Sequence, residues 1–61
     1  DIGEAITTSD RVIILSSRPA KIKKVLDIYY DEEYDTPFKR REAVQYKDYF
    51  NTVWKELDNG E

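Results

Sequence analysis

The sequence contains no cysteine, histidine or methionine, and only two glycines and two prolines. Without cysteine no disulfide can form, and without cysteine or histidine there is no zinc site of the usual kind. The two glycines, Gly3 and Gly60, lie too far apart to build a glycine-rich phosphate loop. No serine-centred nucleophile elbow is present either. We therefore expect no catalytic residue, no metal site and no cofactor site in the chain, which on its own would not be an enzyme.

Long apolar runs and an excess of positive charge are also missing. The longest apolar run, residues 12–15, is far shorter than the roughly 20 residues of a membrane-spanning helix. Ten basic residues face thirteen acidic ones, which gives a formal net charge of −3. Nonspecific binding to nucleic acid needs a basic surface, so we expect no nucleic-acid partner.

The 61 residues can form at most one small domain, because a chain of this size buries only about 60% of its unfolded surface. Apolar residues make up 39% of the chain and charged residues 38%, which predicts a thin core. Small domains with thin cores need a disulfide, a metal or a partner. The chain also starts at Asp1, without methionine, inside what reads as a regular element. We expect a single fragment, residues 1–61, excised from a larger protein.

The pattern predicts a small α+β arrangement with four parts. These are a short N-terminal helix (1–10), a β-hairpin (11–30), an acidic loop (31–42) and an amphipathic C-terminal helix (43–58). Asp1 is a suitable N-cap for the first helix. The run 12–15 does not alternate, which is typical of a strand buried on both faces and thus of a larger sheet. The second strand alternates except at Lys24 and Val25, with Ile22, Leu26, Ile28 and Tyr30 on one face.

An apolar stripe at helical spacing marks the C-terminal helix, which Asn59-Gly60 would end. Such a stripe is more often a packing face than a platform for stacked bases. We predict that it is a docking face, formed by Tyr46, Tyr49, Phe50, Val53, Trp54 and Leu57.

The loop between the hairpin and the last helix is acidic at residues 31–35 and basic at 39–41. We interpret the basic cluster Lys39, Arg40 and Arg41 as a solvated counterpart of the acidic residues rather than a phosphate site. A calcium loop would use Asp31, Glu33, Asp35 and Glu42. However, Thr36 stands where the calcium loop needs glycine, and the three basic residues would lie inside the site. We expect no calcium binding.

The first 22 residues resemble the segment that follows the switch histidine of ABC-transporter ATP-binding subunits. In that family an Asp follows the histidine, and then come Glu-Ala, Asp-Arg, an apolar strand and a small turn. The matching residues are Asp1, Glu4, Ala5, Asp10, Arg11, the run 12–15, Arg18 and Pro19. The form Leu-Ser-x-Arg-Pro-x-x-Ile, residues 15–22, looks most like the importers for nitrate, sulfonates and taurine. The final helix is similar more loosely, and residues 31–35 have no counterpart in the family.

The resemblance implies the distal part of a P-loop NTPase-type nucleotide-binding domain. The family's phosphate loop, signature sequence, metal-holding acidic strand, glutamine switch and switch histidine would all lie upstream of Asp1. Only Asp1 carries over, as the neighbour of the missing histidine. The parent would bind ATP and magnesium and hydrolyse ATP as a dimer to drive uptake. Its partners would be the remainder of the domain, a second ATPase copy and a transmembrane permease, at the inner face of the cell membrane.

A different class of function also fits the sequence. The chain could be a self-standing α/β interaction module without catalysis, which docks a partner through its last helix or its lysine-edged strand. Exposed apolar faces would favour self-association if the chain is a piece of a larger domain.

Overall fold

The computed structural model describes residues 1–58, so the predicted stop signal Asn59-Gly60 lies outside the described residues. Three helices and two strands follow one another in the order α1 (Ile2–Thr8), β1 (Arg11–Leu15), β2 (Ile22–Asp27), α2 (Pro37–Arg40) and α3 (Val44–Asp58). The small α+β class is confirmed, with a helix, a two-stranded antiparallel hairpin and a long C-terminal helix. The molecule is elongated, with extents of 39 × 17 × 15 Å.

Helix α1 is two residues shorter at its C-terminal end than the predicted range 1–10. Its N-cap is Asp1, as predicted, and the carboxylate accepts a hydrogen bond of 2.9 Å from the Gly3 N–H. At the other end Ser9 has an extended backbone, and its N–H still reaches the Ala5 carbonyl. The helix therefore ends where the chain turns toward β1.

The hairpin has a bulge in β2 that changes the face on which the first residue of this strand lies. Ile14 pairs with Lys24 but Leu15 pairs with Ile22, so Lys23 is an extra residue without a partner in β1. A bulge shifts the alternation of faces by one residue. Ile22 therefore lies on the outer face and is 63% exposed. The prediction that it shares the inner face with Leu26 is wrong for this reason.

The prediction that β1 is buried on both faces is also wrong for the described residues. Only Ile14 is buried, while Ile13 and Leu15 are 52% and 56% exposed. The sheet has two strands, and α1 and α3 pack on one of its faces, so alternate residues of β1 remain uncovered. The unbroken apolar run thus supplies one buried residue, Ile14, one partly buried residue, Val12, and two surface residues.

The core lies between that covered face and the two helices. Ile6, Ile14 and Val53 form its centre, with exposures of 0%, 4% and 4%. Partly buried side chains pack against this centre: Ile2, Val12, Leu26, Ile28, Tyr46, Tyr49 and Phe50. The core is as thin as the composition predicts.

The segment 31–42 contains a helix where an irregular loop was predicted. Thr36 is the N-cap of α2, its hydroxyl accepts from the Lys39 N–H at 3.1 Å, and Pro37 opens the helix. Proline is favoured in the first turn because its missing N–H would be unpaired there. The pair Thr36-Pro37 is therefore a local signal that the interpretation as a loop overlooked.

Candidate functional site

Asp1 lies at the rim of an open apolar groove between α1, β1 and α3. The groove has a volume of about 400 Å³ and is lined by Asp1, Ile2, Ala5, Val12, Ile13, Ile14, Leu15, Val53 and Leu57. Asp1 is the sole charged member of this lining, and its carboxylate already caps α1. The groove therefore offers an apolar surface and not a polar binding site.

The C-terminal end of α1 is held by two residues from distant parts of the chain. The Tyr30 hydroxyl donates to the Ile6 carbonyl at 3.0 Å, and Arg40 Nη1 donates to the Thr7 carbonyl at 2.9 Å. The Arg40 guanidinium also donates from Nε to the Tyr34 carbonyl at 2.8 Å and lies 5.0 Å from the centre of the Tyr30 ring. The last carbonyls of a helix lack partners inside the helix, so these bonds complete α1. We call Tyr30 and Arg40 the α1 clamp.

The clamp was not predicted from the sequence. Tyr30 was predicted to face inward at the end of a hairpin that spans residues 11–30. It does face inward, at 8% exposure, but β2 ends at Asp27 and Tyr30 lies three residues beyond the strand. Arg40 was interpreted as part of a solvated cluster, and that interpretation is wrong because its guanidinium bonds two carbonyls. The interpretation holds for Lys39, whose ammonium lies on the surface, 3.1 Å from the Asp35 carboxylate. Recognising in the sequence a helix capped by Thr36 would have placed Arg40 one turn beyond the cap. Arg40 would then have been a candidate for contacts made by a regular element.

The N-terminal end of α1 is approached closely by side chains from the α2–α3 region. A Cβ placed on Gly3 would lie 2.9 Å from the Tyr46 hydroxyl and 3.0 Å from the Arg41 guanidinium nitrogens. Arg41 Nη1 donates to the Tyr46 hydroxyl at 2.9 Å. A side chain at position 3 would therefore have to displace the ends of these two side chains.

Most of the predicted docking face is used inside the chain. Tyr46, Tyr49, Phe50 and Val53 pack on the core, and the ring of Tyr49 meets Tyr30 edge-on at 5.8 Å. Trp54 and Leu57 remain 54% and 53% exposed. The docking of a separate partner on this stripe stays a prediction. In the described structure only Trp54 and Leu57 are exposed enough to contact such a partner.

The acidic residues of the segment 31–42 do not converge. Among residues 1–58 no group of three or more carboxylate side chains is close enough to hold a metal ion. Asp35 is instead paired with Lys39, whose hydrogen bond lowers the pKa of that carboxyl. In the same range no helix is long and apolar enough to cross a membrane.

Burial raises the pKa of Tyr30 above its ordinary value of 10.0, while the nearby Arg40 opposes the shift. Since the folded-state pKa is raised, the contribution of the neutral phenol is fully present below pH 10 and is lost as the pH rises through the folded pKa. We therefore expect the free energy of unfolding to fall as the pH rises above 10. Urea denaturation at several pH values measures this.

The matched control for that measurement is Tyr30→Phe. This variant loses the bond to the Ile6 carbonyl, so we expect it to be about 1–2 kcal/mol less stable at pH 7. Its stability should depend less on alkaline pH than that of the unchanged chain. An equal alkaline loss in both proteins would contradict the assignment to Tyr30.

Comparison with known proteins gives one informative similarity. The chain is 36% identical over 59 residues to YtlC, an uncharacterized ABC transporter ATP-binding protein of Bacillus subtilis (strain 168). The match spans 97% of this chain but 23% of the relative, so the chain corresponds to less than a quarter of that protein's length. No family model matches the chain, and no solved structure matches it.

The similarity runs through all five elements and includes the segment 31–42. It agrees with the resemblance carried by the first 22 residues, and the small α+β fold is consistent with a piece of such a domain. These observations support the assignment of the chain as a segment of an ABC transporter ATP-binding protein.

Proposed function

We propose that the chain is the C-terminal part of the ATP-binding subunit of an ABC importer. Its role there is structural, while ATP binding and hydrolysis belong to the part of the protein upstream of Asp1. The observation that carries the proposal is the 36% identity over 59 residues with an ABC transporter ATP-binding protein. The α1 clamp supports the structural role, because it fixes the C-terminal end of the helix that Asp1 caps.

The substrate class is a finer part of the proposal. We infer an importer for small anions such as nitrate, sulfonates or taurine. The support is the turn after β1, where Leu15, Ser16, Arg18, Pro19 and Ile22 have the spacing that resembles that group. The transported compound itself would be selected by other components of the transporter.

ATP and magnesium do not fit the residues of this chain. A phosphate site needs a cradle of backbone N–H groups and magnesium needs clustered oxygen ligands. The sequence has no glycine-rich loop, and residues 1–58 contain no cluster of three carboxylates. Both ligands belong to the upstream part in this proposal. Our proposed partners are that part, a second ATPase copy and a permease, at the cytoplasmic face of the membrane.

A segment exchange tests the proposal. The 59 matching residues of YtlC are replaced by those of this chain, and binding of a fluorescent ATP analogue is measured. We expect the chimera to be soluble and to bind the analogue within about tenfold of unmodified YtlC. A chimera that carries Ile14→Asp is the matched control. It should fail to fold, because the carboxylate would enter the core.

The isolated 61-residue chain is the second arm of the experiment and should bind no ATP. Binding by this chain alone, or a chimera that misfolds while YtlC stays soluble, would contradict the proposal. The latter result would favour the alternative, a self-standing interaction module without catalysis. Such a module would have to use the exposed Trp54 and Leu57, because the rest of the α3 stripe is occupied.

A further inference from the structure

Strand β1 has one edge to which no other strand is bonded. Within residues 1–58 the sheet has two strands, and β1 pairs with β2 alone. The Asp10 carbonyl accepts from the Ile28 N–H, and the Ser16 N–H donates to the Lys21 carbonyl, so the even-numbered residues direct their backbone groups toward β2. Successive residues of an antiparallel strand alternate in this direction. The backbone groups of residues 11, 13 and 15 therefore point away from β2, and we call them the free edge.

The apolar groove between α1, β1 and α3 lies along the free edge. Its lining includes all four residues of the run 12–15. The side chains of a strand alternate between its two faces, so a groove lined by four in succession follows the edge of the strand and not one face. The helices complete the lining with residues such as Ala5 of α1 and Val53 of α3. Apolar side chains and directed backbone groups therefore occur at the same place.

These two features together specify an extended segment as the occupant of the groove. A strand that adds to a sheet edge bonds through its main chain and places alternate side chains in the adjoining pocket. A helix cannot do this, because its backbone groups are bonded within the helix. A polar ligand is disfavoured, since Asp1 is the sole charged residue of the lining and its carboxylate caps α1.

The two edges of the hairpin also differ in their protection. Exposed edge strands usually carry lysine, proline or inward charges that prevent pairing with another strand. Strand β2 carries Lys23 and Lys24, whereas the run 12–15 of β1 has neither a charge nor a proline. An unbroken apolar run is typical of a strand inside a larger sheet. The sequence of β1 therefore suits a strand that is paired on both of its edges.

We propose that the free edge receives a strand from the part of the ATP-binding protein upstream of Asp1. The inference rests on the proposed function and names the surface through which this chain joins its domain. The match covers 23% of the relative, so most of a protein of that length lies outside this chain. In the proposed function that part is joined to Asp1, which itself lines the groove. A tethered segment has an effective concentration of roughly millimolar, which favours it over a second copy.

Proline substitutions test the free edge in the chimera of YtlC that contains this chain. Ile13→Pro removes an N–H of the free edge and leaves the bonds with β2 in place. Val25→Pro is the matched control, because Val25 lies opposite Ile13 and its N–H points to the other edge of the hairpin. The two side chains are 52% and 48% exposed. We expect Ile13→Pro to lower the melting temperature of the chimera by at least about 5 °C more than Val25→Pro. In the isolated chain the two variants should melt within about 3 °C of each other.

Hydrogen exchange measured by nuclear magnetic resonance tests the same pairing without a substitution. In the isolated chain the Ile13 amide should exchange about as fast as the Val25 amide, because both point away from the hairpin. In the chimera a strand on the free edge protects Ile13, and we expect its amide to exchange at least about 100-fold more slowly than that of Val25. The Val12 amide points toward β2 and should be protected in both proteins.

Three results would overturn the strand addition. If the chimera folds and binds the ATP analogue, but the two proline variants melt together and the Ile13 amide stays unprotected, the inference fails while the proposed function stands. A chimera that does not fold removes the proposed function and this inference with it. Protection of Ile13 in the concentrated isolated chain, but not in the chimera, would make a second copy the occupant.

Discussion

Replacement of Ile6 by alanine is expected to abolish the cooperative unfolding transition of the chain. Ile6 is fully buried at the centre of the core, between Ile14 and Val53. Truncation of a buried isoleucine costs about 2–5 kcal/mol, because it removes apolar contacts and leaves a cavity. A domain of this size has a total stability of only about 3–9 kcal/mol. The loss is therefore most or all of the stability.

Thermal melting followed by far-UV circular dichroism measures this effect. The unchanged chain should melt in a single sigmoidal transition, and Ile6→Ala should melt without one or at a temperature lower by at least about 10 °C. Ile13→Ala is the matched control, since it makes the same truncation at a residue that is 52% exposed. It should cost less than about 1 kcal/mol. Equal losses in the two variants would mean that Ile6 is not the centre of the core.

The contrast between Ile6 and Ile13 shows what the sequence could and could not predict. The helical spacing of Ile2, Ala5, Ile6 and Ser9 places Ile6 on one apolar face of a short helix, and Ile6 is fully buried in the structure. For Ile13 the unbroken apolar run predicted burial, yet the residue is half exposed. The apolar residues of a strand show which of its faces could be buried. Whether a face is covered depends on what else packs on the sheet. The neighbours of Ile13 could not be read from its own segment.

The position of the bulge in β2 could not be predicted from the sequence for a similar reason. Lys24 and Val25 break the alternation expected for a regular strand, which was visible, but the pattern did not say which residue is the extra one. Only the pairing of Leu15 with Ile22 shows that it is Lys23. The Lys23 ammonium then lies 2.6 Å from the Glu56 carbonyl, in the last turn of α3. That contact depends on tertiary structure.

The family resemblance was predictable because it rests on local sequence, and the 36% identity to an ABC transporter ATP-binding protein supports it. The α1 clamp was not, because Tyr30 and Arg40 are separated from the carbonyls they bond by 24 and 33 residues. Hydrogen bonds from a side chain to a distant carbonyl leave no periodic pattern in a sequence. An arginine in a polar segment has the same appearance whether it is solvated or holds a helix in place.

The second large effect is expected at Arg40. Arg40→Met keeps most of the aliphatic stem but removes the guanidinium, which leaves the Thr7 and Tyr34 carbonyls without these donors. Hydrogen bonds from charged groups contribute about 1.5–3 kcal/mol each, and the contact with the Tyr30 ring adds about 0.5–1 kcal/mol. Because Arg40 is partly exposed, water replaces part of the lost hydrogen bonding. We therefore expect the free energy of unfolding to fall by about 2–3 kcal/mol.

Lys39→Met is the matched control, since it is the adjacent residue and changes the charge equally. Lys39 makes an exposed pair with Asp35, which contributes at most about 1 kcal/mol. Urea denaturation should therefore separate the two variants clearly. Hydrogen exchange localises the effect, because the amide of Ser9, which bonds to the Ala5 carbonyl at the end of α1, should lose protection in Arg40→Met alone. If Arg40 were merely solvated, both variants would retain that protection and differ little in stability, and α1 would be held by its packing on Ile14 and Val53.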